Sequence, residues 1–440
     1  MELTKRQKYD VLKAELANER NSFKQYWTEL GDYFMPSRLR MNLSDKNRGD
    51  RRNTKIIDCT GVIAARTLAS GMMSGITSPA RPWKRLTTQD TDLSEYGPVK
   101  TWLHEVNKRM DSVFLRSNIY NTLPIVYGDM SVIATAPFIV EEDFERVIRS
   151  QSFPVGSYYL AKDFRGVVNT FMREFSMTVR QLIEQYGETD GKTGRPKWEN
   201  FSTVVRNAWD RSQYETWVDV VHVIAPNSDY DSKKLLAKHK KFASCTYEAN
   251  STDKNVFLKE SGYELFPVLC PRWEVTAEDV YGTNCPGMTA LGDVKALQIM
   301  QKRKAQAVEK MVNPPMKAPA TLRGHASSLI PGGITYLAGD AKDSFTPIHE
   351  VRFNLNEARQ DIMEMQKLID RAFYADIVLM LTRSDRDMTA TEVAARDQEK
   401  LLVFGPVLEQ LNQDALNPLI DLTFAYMQRQ GLIPPPPEDI

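Results

Sequence analysis

The sequence predicts an α+β chain, mainly helical, on three observations. Long stretches with apolar residues three and four apart occupy the first thirty positions and much of the chain after 288. Short β-branched and aromatic runs, cut by proline and glycine, cluster between 124 and 260. The 440 residues are 42% hydrophobic and 26% charged, globular proportions with ample burial capacity, so two or more packed modules are expected without disulfides or metals.

Leu3, Val11, Leu12, Leu16, Phe23, Tyr26, Trp27 and Leu30 recur with helical spacing and stop at Met35-Pro36, which marks an amphipathic helix. From Arg38 to Lys55 basic residues, asparagines and Gly49 mark a polar loop, either solvated or in contact with phosphate or a partner. Asp58 to Ile76 is rich in Ala, Gly, Ser, Thr and Met, a composition for a closely packed buried helix, and another amphipathic helix follows from Gly97 to Asn118. Strands are expected at Ser131–Thr135, Phe138–Val140, Val167–Phe175, Trp217–Ile224, Phe242–Tyr247 and Val256–Lys259.

The second half changes character. A helical pattern runs from Met288 to Val312, about 37 Å long at 1.5 Å per residue, and is closed by Asn313-Pro314-Pro315. A Gly/Pro-rich insert follows to Glu350, with a short strand at Ile334–Leu337. Leu355, Ala358, Ile362, Met365, Ile369 and Ala372 then form a single apolar stripe that a second helix must cover. After a charged loop at 382–388, Thr389 and Thr391 offer caps for a helix running toward Gln430, with a kink expected at Gly405-Pro406. Pro434–Pro437 is expected to be an extended tail with no core to join.

Tests for chemistry return little. Lysine plus arginine and aspartate plus glutamate each number 57, which excludes a chain that neutralises phosphates over its whole surface. The cysteines, Cys59, Cys245, Cys270 and Cys285, lack the close pairs of zinc or redox sites, so reduced, buried thiols in an intracellular compartment are expected. The histidines have no metal-type spacing. Gly187–Thr193 ends like a phosphate loop but is one residue short and follows a helical segment. No nucleophile elbow, dinucleotide fingerprint, secretion signal or membrane span is present, and no cofactor is expected.

From Pro271-Arg272-Trp273-Glu274 through Tyr281-Gly282, Pro286-Gly287-Met288 and Leu291-Gly-Asp293 to Val312-Asn313-Pro314-Pro315, the chain resembles the head-to-tail connector family, the portal proteins of short-tailed bacteriophages. The likeness continues through Met388-Thr-Ala-Thr-Glu-Val393, Phe404-Gly-Pro-Val407, Pro418-Leu-Ile420 and Gly431-Leu-Ile-Pro434. Upstream it reaches the Trp27 helix, the Gly61–Gly75 segment and Arg81-Pro82-Trp83.

The resemblance implies a portal-type fold and a non-enzymatic ring, usually of twelve subunits, at one capsid vertex of the virion. Double-stranded DNA passes through such a ring without sequence-specific contacts. The implied partners are the major capsid protein and scaffold, the large terminase, and tail adaptor and tail tube proteins, with assembly in the host bacterial cytoplasm and no membrane. Residues 1–287 then correspond to the wing, 288–312 and 351–376 to the two stem helices, and 313–350 to the clip. Residues 377–388 correspond to the channel loop, 389–430 to a long kinked wing helix, and 431–440 to a proline-rich tail where many relatives continue into a crown.

On this mapping Arg383, Ser384, Asp385, Arg386 and Asp387 belong to the channel loop, whose alternating charge suits passing contact with phosphates or an intersubunit salt-bridge row. Lys302, Arg303 and Lys304 face the channel or pair with acids such as Asp361 and Glu364. Leu329, Ile330, Pro331, Gly332 and Gly333 are the expected clip contacts to motor and adaptor. Two rival readings are a nucleic-acid-processing enzyme with an unrecognised site and a helical scaffold or adaptor protein.

Overall fold

The computed structural model describes residues 3–41, 49–88, 90–188, 196–251, 256–313, 316–317, 346–347, 354–375, 378 and 405–437. Helix α1, Lys5–Phe34, opens with a capping box in which Thr4 and Gln7 satisfy each other's backbone, and ends at Met35. Its buried stripe includes Leu16, Trp27, Leu30 and Phe34. Helix α2, Thr60–Gly75, buries Ala64, Ala65, Leu68 and Ala69. At Gly61 a Cβ would lie 3.0 Å from both Phe34 and Val294, so the absence of a side chain lets three segments converge.

Helices α3, Thr91–Glu95, and α4, Gly97–Arg116, precede α5, Ile119–Ile133. Here the sequence expectation fails: Ser131–Ile133, read as a strand, is the last turn of α5. Ser131, Val132 and Ile133 are each fully buried although consecutive helical residues point in different directions. A helix covered on every side loses the 3.6-residue polar alternation, and its apolar run looks like a strand.

Strands β1, Phe138–Asp143, and β2, Val147–Ser152, form a hairpin, and β1 also pairs with β8, Val268–Leu269. The larger sheet is an antiparallel meander of β3, Tyr158–Lys162; β4, Val168–Thr178; β5, Trp217–Pro226; β6, Phe242–Glu248; and β7, Lys259–Tyr263. Its register places Phe171 opposite Ile224 and Val223 opposite Cys245. The strand expected at Val256–Lys259 begins only at Lys259, where pairing with Thr246 starts.

Helices α6, Val179–Tyr186, and α7, Thr203–Asp210, cover part of the sheet through Val179, Leu182, Val205 and Val220. The sequence reading missed α7, although Ser202 accepts from the Val205 N–H as a cap and was a readable signal. Another sheet cluster, including Tyr159, Met172, Val221 and Tyr247, receives Leu16 of α1.

Helix α8, Pro286–Val312, is followed by β9, Met316–Lys317, paired antiparallel with β10, Thr346–Pro347, so the two ends of the insert meet. Helix α9, Leu355–Ala372, comes next. Helix α10, Gly405–Leu411, passes through a π-helical turn at Asn412–Leu416 into α11, Asn417–Arg429. The described part of this helix starts at Gly405, so a bend before Pro406 lies at its edge; the irregularity within it is the π-turn. The strand expected at 334–337 lies outside the described residues.

Two further expectations are corrected. Cys59 is exposed, whereas Cys245, Cys270 and Cys285 are buried; all are free thiols. Burial pushes the Cys270 and Cys285 thiols up to about 12 and Cys245 to about 11, which keeps them protonated and unreactive. The proline-rich end is tied to α4: the Trp102 indole donates to the Pro434 carbonyl at 3.0 Å and Arg109 to the Leu432 carbonyl at 2.8 Å. An extended segment leaves its carbonyls free, and these side chains supply the donors.

Candidate functional site, a helix pair rooted in the core

Helix α8 is half root and half projection. Its first half, including Met288, Ala290, Leu291, Val294 and Leu297, lies in the main core. Pro286 occupies the first turn, where its missing N–H costs nothing. At Gly287 a Cβ would sit 2.7 Å from the Val132 Cα, so glycine alone permits this approach to α5. Trp273 and Tyr281 brace the same region; Tyr281 packs edge-on against Trp27 at 5.1 Å between ring centres, and its hydroxyl accepts from the Leu160 N–H at 3.1 Å.

The second half of α8 emerges into solvent. Ile299 is 50% exposed and Val312 81%. Lys302 and Arg303 are exposed and Lys304 half-buried. Among the described residues no ion pair joins these three to Asp361 or Glu364, both exposed on α9. An open groove of about 570 Å³ near the helix end is lined by Gln301, Lys304, Ala305, Val308 and Val312.

Helix α9 returns along α8. Of the seam residues, Ile362 and Ile369 are buried, Ala358, Met365 and Ala372 half-buried, and Leu355 exposed. Burial deepens toward the C-terminal end, where Phe373 meets Phe34 at 5.4 Å between ring centres. Met363 and Leu368 face outward, 45% and 47% exposed.

A polar hub locks both helices to the start of α2. The Gln298 Oε1 accepts from the backbone N–H groups of Ile57 and Asp58, each at 2.7 Å, and its Nε2 donates to the Asp58 carbonyl at 3.0 Å. The Asp58 carboxylate accepts from the Thr60 N–H at 2.8 Å, from Gln301 Nε2 at 2.8 Å and from Gln366 Nε2 at 3.0 Å. Burial raises the Asp58 pKa, but these bonds, with that of the Thr60 hydroxyl, outweigh it and hold the carboxyl below its usual range. One carboxylate thus gathers α2, α8 and α9.

A second anchor joins the segment before α8 to the last helix. Arg272 is bidentate to Asp414, with Nε and Nη2 each 3.0 Å from a carboxylate oxygen, and donates also to the carbonyls of Gly166 and Val280. Asp414 sits inside the π-turn and accepts from Gln410 at 2.8 Å. Burial works against the Arg272 charge, and Asp414 more than offsets it, raising the guanidinium pKa. The Arg272-Trp273 pair stood out in the sequence, but nothing there linked it to Asp414.

The channel-loop residues Arg383, Ser384, Asp385, Arg386 and Asp387 lie outside the described residues, as do Leu329, Ile330, Pro331, Gly332 and Gly333. Among the described residues no group of three or more His, Cys, Asp or Glu could hold a metal ion, and no helix is long and apolar enough to cross a membrane. What the arrangement offers is mechanical: a helix pair fixed at one end by the core and by hydrogen bonds, with Met311, Val312 and Leu355 exposed toward the other.

Over residues 6–440 the chain matches the family described as bacteriophage head to tail connecting protein. It is 48% identical over 427 residues to the portal protein of Salmonella phage epsilon15, covering 97% of this chain and 75% of that one. It is 41% identical over 428 residues to the probable portal protein of Bordetella phage BPP-1, with the same coverages. The motifs from Pro271 to Pro315 therefore sit in a likeness that runs almost end to end, and the chain belongs to the bacteriophage head-to-tail connecting proteins, the portal family.

Proposed function

We propose that the chain assembles as a twelve-membered ring at one capsid vertex and forms the conduit through which double-stranded DNA is packaged and ejected. The ring is non-enzymatic; the large terminase that docks on it hydrolyses ATP, and tail adaptor and tail tube proteins later take its place. Contacts with the major capsid protein and scaffold set the ring in the head, which assembles in the bacterial cytoplasm.

The observation that carries this reading is the α8–α9 pair. It leaves the core with Ile299, Met311, Val312, Met363 and Leu368 still facing water. A head-to-tail contact repeated about an axis covers such side chains and closes on itself. Residues 1–287 then serve as wing, α8 and α9 as stem, the insert between β9 and β10 as clip, and 377–388 as channel loop. Lys302 and Arg303 line the channel, and zero formal net charge suits a conduit, because many phosphate contacts per subunit would hold DNA tightly.

The test is native mass with negative-stain imaging of the purified protein. Twelve chains of 50.2 kDa give a particle near ~600 kDa with a central hole. A monomeric mass, together with failure to enter procapsids when scaffold is supplied, overturns the reading. Shortening the loop between Arg383 and Asp387 is expected to leave that mass unchanged and lower the fraction of heads that retain a full genome. Full heads at wild-type frequency remove the loop from the channel.

A further inference from the structure

The connection between β5 and β6, residues 227–241, carries Lys233, Lys234, Lys238, Lys240 and Lys241 around Leu235 and Leu236. Leu235 is 99% exposed and Leu236 62%. Lys233, Lys234, Lys238 and Lys241 are also exposed. Its acids are engaged close by: Asp231 lies 3.5 Å from Lys234, and Asp229 lies 3.9 Å from Lys5 of α1.

The loop is built, not slack. The Asn227 side chain donates to the carbonyls of Lys238 and Lys240 at 2.9 and 2.8 Å, and its N–H to the Lys241 carbonyl at 3.0 Å. The Asp231 N–H reaches the His239 carbonyl at 3.0 Å, and its carboxylate accepts from the Lys233 N–H at 3.0 Å. A 3-10 turn at Ala237–His239 presses on β7 at Gly262, where a Cβ would lie 2.3 Å from the Ala237 carbonyl oxygen. A hydrogen-bonded scaffold therefore holds two leucines in water among like charges.

Beside the loop a cavity of about 550 Å³ opens between β7 and α11. Ala237 and Lys240 belong to both loop and cavity wall, and Tyr263, Leu265, Tyr426 and Arg429 complete the apolar and basic lining. Glu142 and Glu264 also line it, and Glu142 is paired with Arg429 at 2.5 Å. Loop and cavity form one continuous surface.

We propose that this surface docks an acidic amphipathic segment of another protein, whose apolar side chains cover Leu235 and Leu236 while its carboxylates meet the lysines. DNA requires only the lysines and gives the two leucines no role. The inference rests on the exposure and charge of this loop and is independent of ring formation.

The test uses the purified full chain and a fluorescently labelled synthetic helix with leucine at i, i+3, i+4 and i+7 spacing and glutamate elsewhere. The control helix has lysine in place of glutamate. Anisotropy is expected to show binding of the acidic helix only. Leu235→Ser with Leu236→Ser, and separately Lys233→Gln with Lys238→Gln, should each weaken it by about tenfold or more. The melting temperature should be unchanged, because the loop's backbone bonds do not use these side chains.

Absence of binding, or binding indifferent to the leucine pair, overturns the proposal. So does stronger binding of a short DNA duplex or of phosphatidylserine vesicles that depends on the lysines alone. A Leu235→Cys variant distinguishes the remaining occupant: if assembly of this chain by itself protects the thiol from maleimide, a second copy covers the loop and the proposal fails.

Discussion

Replacing Arg272 with methionine is expected to lower the unfolding free energy by about 3–5 kcal/mol, because it strands the Asp414 carboxylate in a site where its own charge was balanced by one partner. The Arg272 side chain is 4% exposed and that of Asp414 12%, so water replaces only a small part of the lost contacts. Three further consequences follow in the same region: the carbonyls of Gly166 and Val280 lose a donor, and the π-turn loses the bond that orients it. Removing both charges, as Arg272→Met with Asp414→Leu, should recover the part of the loss that comes from the stranded charge, while the Gly166 and Val280 carbonyls still lack their donor. Urea titration of the three variants measures both quantities. A single-variant loss below about 1 kcal/mol would mean that the pair is screened like a surface bridge.

The second large effect is expected at Gln298. Substitution by methionine keeps the length and volume of the side chain but leaves the N–H groups of Ile57 and Asp58, and the Asp58 carbonyl, without their partner. Ile57 is exposed and Asp58 half-buried, so water reaches these groups and a loss of about 1–3 kcal/mol is expected, at the lower end of what three fully buried orphans would cost. Hydrogen exchange at the Ile57 and Asp58 amides should accelerate before that of the β5–β6 ladder, because the damage is local to the base of the α8–α9 pair. Uniform acceleration across the chain, or no loss of stability, would remove Gln298 from the hub. If the stem reading is right, the same variant should assemble less well, since Gln301 and Gln366 share the Asp58 carboxylate that Gln298 positions.

Much of the architecture was legible because amphipathic elements write their own period. Helices α1, α8 and α9 each have one face toward the core and one toward water, and their bounds fall within a few residues of the sequence expectation. Strands β4, β5 and β6 were legible from β-branched runs bounded by turns. The end of helix α5 was not, because its last turn, Asp129 to Ile133, is buried throughout and the exposed polar half of the pattern is missing there. The tail after Arg429 was misread because its anchors, Trp102 and Arg109, lie more than three hundred positions away in the chain.

The candidate site divides in the same way. The family likeness, the helix pair and the apolar seam came from residues near one another in the chain, where spacing carries information. The Asp58 hub and the Arg272–Asp414 anchor join residues 240 and 142 positions apart, and in the sequence each is an ordinary polar side chain. Likewise, the sequence reading passed over the lysines of 233–241, and only the folded loop decides that Leu235 points into water. The sequence by itself determined the amphipathic helices, the central strands of the larger sheet and the family to which the chain belongs, since these follow from local periodicity and ordered motifs. Tertiary structure alone decided which polar groups meet and which apolar ones stay uncovered, because partnering and exposure depend on distance in space and not on distance along the chain.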